Sequence, residues 1–116
     1  MVEAALALPV LLVLFMGIAD VGRAFTTYVA LANAAREGAR YCALHPGDGA
    51  GTRDRVADEL GDRVAADTAA VVCPTVERGQ AVTVTVSASL TPITPYGSQL
   101  AGGAIRLEAP ATMMVW

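Results

Sequence analysis

The chain has 116 residues and a formal net charge of -3, and all eight of its basic residues are arginine. This length leaves room for one small domain beside a membrane-length segment, and two independent domains are not expected. The arginines are interleaved with acids and form no cationic face, which argues against nucleic-acid binding. The lone histidine, His45, stands in no catalytic or metal-ligand spacing, so we predict no catalytic residue, no metal and no cofactor.

An uncharged apolar run extends from Ala4 to Ala19, between Glu3 and Asp20. As a helix it would be about 24 Å long, slightly less than the roughly 30 Å hydrocarbon core of a bilayer. It is either a short membrane anchor or a buried packing helix. The acid before the run and the lack of a small-residue cleavage site after it argue against a cleaved signal peptide.

The helix is predicted to continue beyond the apolar run, because residues 22–44 contain no proline and many good helix formers. One helix from Val2 to Leu44 would be on the order of 60 Å long, which exceeds a compact domain of this size. Such a helix usually packs against other chains. Its second half carries apolar positions at three- and four-residue steps, expected to face the core: Phe25, Tyr28, Val29, Leu31, Ala32, Ala35, Ala39 and Cys42.

A second, short helix is predicted after the glycine-rich stretch that follows His45. Thr52 is the expected capping residue. Val56, Leu60 and Val64 form an apolar stripe that would lie on the core.

The clearest strand is Ala81 to Leu90, where apolar residues alternate with threonines and serines. A second strand is expected from Ala104 through Leu107, and it could resume after Pro110 as far as Val115, with an edge position or a bulge at the proline. An ordered loop would join the two strands over residues 91–97 and 102–103. A further short strand around residues 70–73 is possible. The predicted fold is α+β, with a long N-terminal helix, a short helix and a small antiparallel sheet.

The two cysteines, Cys42 and Cys73, lie at junctions between predicted elements. They could form a disulfide that connects the helix to the sheet, and closing this loop would stabilise the fold by about 3 to 4 kcal/mol. Alternatively, they could remain two buried free thiols. We favour the disulfide, because an anchor followed by a small domain indicates an oxidising extracytoplasmic compartment.

Residues 2–43 resemble the N-terminal signature of TadE-like proteins, the pilin-like components of tight-adherence secretion and pilus systems. The resemblance rests on an acid before the apolar run, a proline within it, and an acid with a Gly-Arg pair after it: Glu3, Pro9, Asp20, Gly22 and Arg23. It also rests on an N-x-x-R-E-G-A-R box, whose residues are Asn33, Arg36, Glu37, Gly38, Ala39 and Arg40. The strand and loop sequences near the C-terminus are similar more loosely.

The resemblance implies the type IV pilin route, in which a prepilin peptidase removes a short basic leader and the protein inserts with its N-terminus in the cytoplasm. Residues 1–22 would form a membrane or filament-core helix, and residues 23–116 a small extracytoplasmic α+β domain. The implied partners are membrane lipid before assembly, the pilus assembly platform, and other pilin-like subunits in a homopolymer or a hetero-complex. The protein would reside in the cytoplasmic membrane, or in a cell-surface filament if it polymerises.

Within that route, Glu3 would pair with the N-terminal amine of a neighbouring subunit, since an unpaired carboxylate in hydrocarbon is costly. Gly17 belongs to the small residues that allow helices to approach closely, and Pro9 would loosen the helix for extraction from the bilayer. The alternative function is a static membrane-anchored adhesion or binding module that never polymerises.

Overall fold

The computed structural model describes residues 1–64, 66–94, 99 and 102–115. A long helix α1 (Val2–Leu44) is followed by a short helix α2 (Gly49–Leu60), two single 3-10 turns (Gly61–Arg63 and Thr68–Ala70) and two strands. The strands β1 (Ala81–Leu90) and β2 (Ile105–Met114) form an antiparallel pair. The α+β prediction is confirmed.

Helix α1 is much longer than the domain that it supports, and the molecule measures 70 × 22 × 20 Å. It runs without interruption through Pro9, as predicted. Its buried positions begin only at Leu31 and are mostly small, which brings the helix close to the sheet and to α2: Leu31, Ala34, Ala35, Gly38, Ala39, Cys42 and Ala43. The core of the domain therefore packs on the C-terminal third of α1, whereas the apolar run before Asp20 stays uncovered.

The apolar face of β1 completes the core. Val82, Val84 and Val86 are fully buried, and their alternation with exposed Thr83 and Thr85 follows the predicted period of two. Ser87 was expected on the exposed face of β1, but it is buried, because the residues just before the second 3-10 turn cover it. There the backbone N–H of Asp67 donates to the Ser87 carbonyl at 2.9 Å.

Helix α2 begins and ends earlier than its sequence pattern suggested. Asp48, and not Thr52, caps it, because the Asp48 carboxylate accepts a hydrogen bond from the Gly51 N–H at 3.0 Å. The Thr52 side chain is buried within the first turn and donates to the Asp48 carbonyl at 2.8 Å. The helix ends at Leu60 because Gly61 adopts a positive φ of 56°, so Val64 lies beyond it.

Two expectations for the strands were wrong. Residues 71–73 form no strand, and the Val71 carbonyl accepts a hydrogen bond from the Arg53 side chain at 3.2 Å instead of from a ladder partner. Strand β2 starts at Ile105 and does not pause at Pro110, which lies in register opposite Thr85. Within the described residues β2 pairs only with β1, so a residue without an N–H is tolerated at this edge.

The predicted core stripe on α1 extends too far toward the N-terminus. Phe25, Tyr28 and Val29 retain 69%, 45% and 41% of their surface. At this level the end of β1 lies beside a different face of the helix, where Thr26 and Leu90 line one cavity. The predicted loop between the strands lies partly outside the described residues. Its first part, residues 91–94, is described and contacts α1.

Candidate assembly surface

The N-terminal half of α1 is an uncovered apolar rod. Its most apolar window has a mean hydropathy of 2.4, and none of that window is buried within the chain. Large side chains along it are exposed on all sides, including Leu6, Val10, Leu14 and Ile18. The helix is long and apolar enough to cross a membrane, and this chain alone does not shield it from water.

The assembly residues predicted nearest the N-terminus are spread along this rod and do not meet one another. Glu3 lies in the first turn of α1, and Pro9 lies inside the helix, where its missing N–H leaves the Ala5 carbonyl without its usual donor. Among the described residues, a Cβ built on Gly17 would meet nothing within 4 Å. Space for a side chain therefore exists at Gly17, and packing within the chain does not require a glycine there.

Asp20 is the residue at which the segment after β1 contacts α1. Its carboxylate accepts hydrogen bonds from the backbone N–H of Ile93 at 2.8 Å, from the N–H of Thr94 at 3.1 Å and from the Thr94 hydroxyl at 2.9 Å. We refer to these three bonds as the Asp20 contact. It fastens the segment after β1 to the first polar residue beyond the apolar run.

Arg23 reinforces the Asp20 contact. Its guanidinium lies 3.8 Å from the Asp20 carboxylate and donates to the Thr91 carbonyl at 3.4 Å. Gly22 has no such role, since a Cβ there would also meet no atom of the described part of the chain within 4 Å. The Gly22 carbonyl accepts a hydrogen bond from the Thr26 hydroxyl at 2.9 Å. The acid and the arginine of the signature thus act together within the chain, whereas the glycine between them stays open.

The N-x-x-R-E-G-A-R box divides between two surfaces of α1. Gly38 and Ala39 face the core, and a Cβ on Gly38 would lie 2.6 Å from the Val56 Cγ2 atom of α2. The polar members of the box instead line a surface groove of about 310 Å³, together with Glu59 and Met113: Asn33, Arg36, Glu37 and Arg40. The box therefore combines a helix-packing glycine with a polar outer surface.

The predicted disulfide forms at the C-terminal end of α1. Cys42 and Cys73 are bonded, with their Cα atoms 5.7 Å apart, and both are buried. The free-thiol alternative is excluded by this bond. The bond fixes residues 71–73 against the last turn of α1.

A polar cluster that the sequence reasoning missed lies beside the disulfide. The Tyr41 hydroxyl donates to the Asp48 carboxylate at 3.0 Å, the His45 ring stacks on Tyr41, and the Arg55 guanidinium lies 5.5 Å from the Tyr41 ring centre. The hydrogen bond from the Gly51 N–H, followed by that from Tyr41, holds the pKa of Asp48 below its usual value. The same carboxylate raises the pKa of Tyr41, because it accepts the proton that the phenol would lose.

Residues 1–40 match the TadE-like protein family model. The match confirms the resemblance over this part of the chain, which we call the TadE-like segment. The segment contains every assembly and box residue named from the sequence, and it ends before Cys42 and both strands. No curated protein and no solved structure shows significant similarity to the chain. The family match and the long apolar helix fit a pilin-like, membrane-anchored protein.

Proposed function

We propose that the chain is a structural subunit of a tight-adherence or type IV pilus, inserted in the membrane and then packed through α1 into a filament or its initiating complex. The observation that carries this proposal is the uncovered apolar half of α1 within the TadE-like segment. Lipid can cover that surface before assembly, and the helices of other subunits can cover it afterwards.

The surface just beyond the apolar run supports packing against other chains. Val21, Phe25, Tyr28 and Val29 lie past Asp20, yet each exposes at least 41% of its surface. A helix rises about 1.5 Å per residue, so Val29 stands about 15 Å beyond Ala19, which is outside the hydrocarbon core. An apolar surface at the level of Val29 is typical of a protein–protein contact.

The first residues of α1 carry the assembly chemistry in this proposal. Glu3 is exposed in the first turn of the helix, and we assign it to pairing with the N-terminal amine of a neighbouring subunit. Gly17 and Gly22 leave open space on the helix surface, which lets a neighbouring helix approach closely. A prepilin peptidase and a pilus assembly platform are the other proposed partners, and the domain is proposed to be extracytoplasmic.

The test is electron microscopy of filaments sheared from cells, with mass spectrometry of the subunits. We expect the chain in the filament fraction, either as the main species or at low copy, and we expect fewer filaments when it is deleted. Glu3→Ala should reduce incorporation while the membrane-bound amount stays constant. Glu77→Ala, which changes an exposed glutamate in the domain, is the matched control and should behave like the wild type.

A different result would overturn the proposal. If the chain stays in the membrane fraction, and neither its deletion nor Glu3→Ala alters piliation, it is a static anchored module.

A further inference from the structure

The segment that follows β1 approaches the end of the apolar run closely. The Ile93 N–H donates to an Asp20 carboxylate oxygen at 2.8 Å, and Thr94 donates to the other oxygen through its N–H and its hydroxyl. Asp20 directly follows Ala19, the last residue of the run. The position of Ile93 along α1 is therefore fixed by hydrogen bonds to a residue that borders the apolar segment.

The direction of helical side chains places Ile93 still nearer to the apolar run. Each Cα–Cβ bond in a helix tilts toward the N-terminus, so a side chain covers the turn that precedes its own Cα. The Asp20 carboxylate accordingly lies beside the last turn of the apolar run. Ile93 lies at the level where that run ends, three residues beyond Leu90, which is the last residue of β1.

Ile93 does not contribute to the core of the domain. It keeps 56% of its surface exposed, whereas its neighbour Thr94 is buried by the Asp20 contact. Single exposed apolar residues are common on proteins. This one differs because, under the proposed function, the medium at its level is the polar boundary of the bilayer, where apolar side chains are stabilised by partial insertion.

We propose that Ile93 inserts into the interfacial layer of the bilayer, so that the segment after β1 forms a second lipid contact beside α1. This inference rests on the membrane insertion of α1 within the proposed function. A lipid surface is favoured over a neighbouring subunit because the Asp20 contact sets the height of Ile93 relative to the apolar run, and every inserted chain meets lipid at that height. Two contacts on one surface would also restrict the tilt of the rod relative to the membrane.

Tryptophan fluorescence in vesicles tests this contact on the full chain. Trp116 is the single native tryptophan, so the Trp116→Phe variant has no tryptophan fluorescence and serves as the background. In that background, Ile93→Trp reports the proposed contact and Phe15→Trp reports insertion of α1. Val72→Trp is the matched control, since Val72 is 63% exposed and adjoins Cys73, which is bonded to the far end of α1. The vesicles contain phosphatidylethanolamine and phosphatidylglycerol, with or without brominated acyl chains.

We expect brominated lipid to reduce the fluorescence of Ile93→Trp and of Phe15→Trp, and to leave Val72→Trp unchanged. Quenching of Phe15→Trp alone would overturn the lipid contact and leave the proposed function intact. Quenching of none of the three would mean that α1 is not inserted, which is a failure of the proposed function. A blue shift of Ile93→Trp that grows with the protein-to-lipid ratio, without quenching, would assign Ile93 to a neighbouring subunit and overturn the proposal.

A second measurement avoids the substitution. In the wild-type protein, lipids with a spin label in the headgroup should broaden the methyl signals of Ile93 but not those of Val72, with Ile18 in the apolar run as a positive control for insertion. Equal, weak broadening of Ile93 and Val72 would contradict the lipid contact.

Discussion

Gly38 of α1 lies directly against Val56 of α2, so closely that a Cβ at position 38 would stand 2.6 Å from the Val56 Cγ2 atom and 3.3 Å from the Val84 Cγ1 atom of β1. Both valines are fully buried and have stiff, branched side chains. At Gly38, α1 therefore lies in close contact with both α2 and the sheet. A glycine in the middle of a helix is unfavourable in isolation, and close packing explains it here.

Gly38→Ala should destabilise the domain. Overpacking a core typically costs about 1–3 kcal/mol. This outweighs the roughly 1 kcal/mol that alanine gains over glycine in a helix. The measurement is urea denaturation, followed by circular dichroism, of the detergent-solubilised protein. Gly22→Ala is the matched control, because a Cβ there meets nothing within 4 Å and the stability should hold or rise. Equal effects of the two substitutions would show that Gly38 is not a packing constraint.

Removal of the disulfide should destabilise the domain more than Gly38→Ala does. Cys42 and Cys73 are separated by 31 positions, and closing a loop of about that length stabilises by on the order of 3–4 kcal/mol. The double variant Cys42→Ser/Cys73→Ser should unfold at a lower urea concentration than the wild type. After reduction, the unfolding midpoint of the wild type should approach that of the double variant. If reduction leaves the unfolding midpoint unchanged, the bond contributes little to stability.

Elements with a continuous local pattern could be predicted from the sequence, and contacts between distant residues could not. The bounds of α1 follow from a proline-poor, alanine-rich run, and those of β1 follow from strict alternation. Asp48 was missed as the cap because Thr52, another residue type that caps well, follows it within a glycine-rich stretch. The Asp20 contact joins residues 73 and 74 positions apart, and no local signal marks Ile93 or Thr94 as partners of an acid.

The hydrogen bonds that Asp48 accepts from the Gly51 N–H and from Tyr41 should make the turn after α1 sensitive to both extremes of pH. The pKa of Asp48 is lowered in the fold, so its stabilising effect is present above the unfolded value and is lost as pH falls through the folded value. The pKa of Tyr41 is raised, so its contribution is complete below the unfolded value and is lost as pH rises through the folded value. NMR titration of the tyrosine ring signals measures the second effect.

Asp48→Asn provides the test of this pH dependence. The amide keeps an oxygen that can accept the Tyr41 hydroxyl but removes the negative charge, so the Tyr41 pKa should fall toward the ordinary value for tyrosine. Asp58→Asn changes an exposed acid on α2 and should leave the Tyr41 titration as it is in the wild type. An unchanged Tyr41 titration in Asp48→Asn would mean that the carboxylate does not control this phenol.

Asp20→Ala should release the segment after β1 from α1 without unfolding the domain. The substitution removes the acceptor of all three bonds in the Asp20 contact, while the core around Val84 lies on the C-terminal third of α1 and is not touched. Amide hydrogen exchange should become faster at Ile93 and Thr94 and stay slow at Val84. Thr94→Val removes only the hydroxyl donor, so it should have a smaller effect on the Ile93 amide.

Arg23→Ala separates the roles of the two charged residues at this site. The guanidinium donates a hydrogen bond to the Thr91 carbonyl at 3.4 Å, and its ion pair with Asp20 spans 3.8 Å at a half-exposed position. Surface pairs of this kind contribute little. Arg23→Ala should therefore accelerate exchange at Ile93 less than Asp20→Ala does. If Arg23→Ala has the larger effect, the segment is held mainly by the arginine, and the hydrogen bonds to Asp20 are secondary.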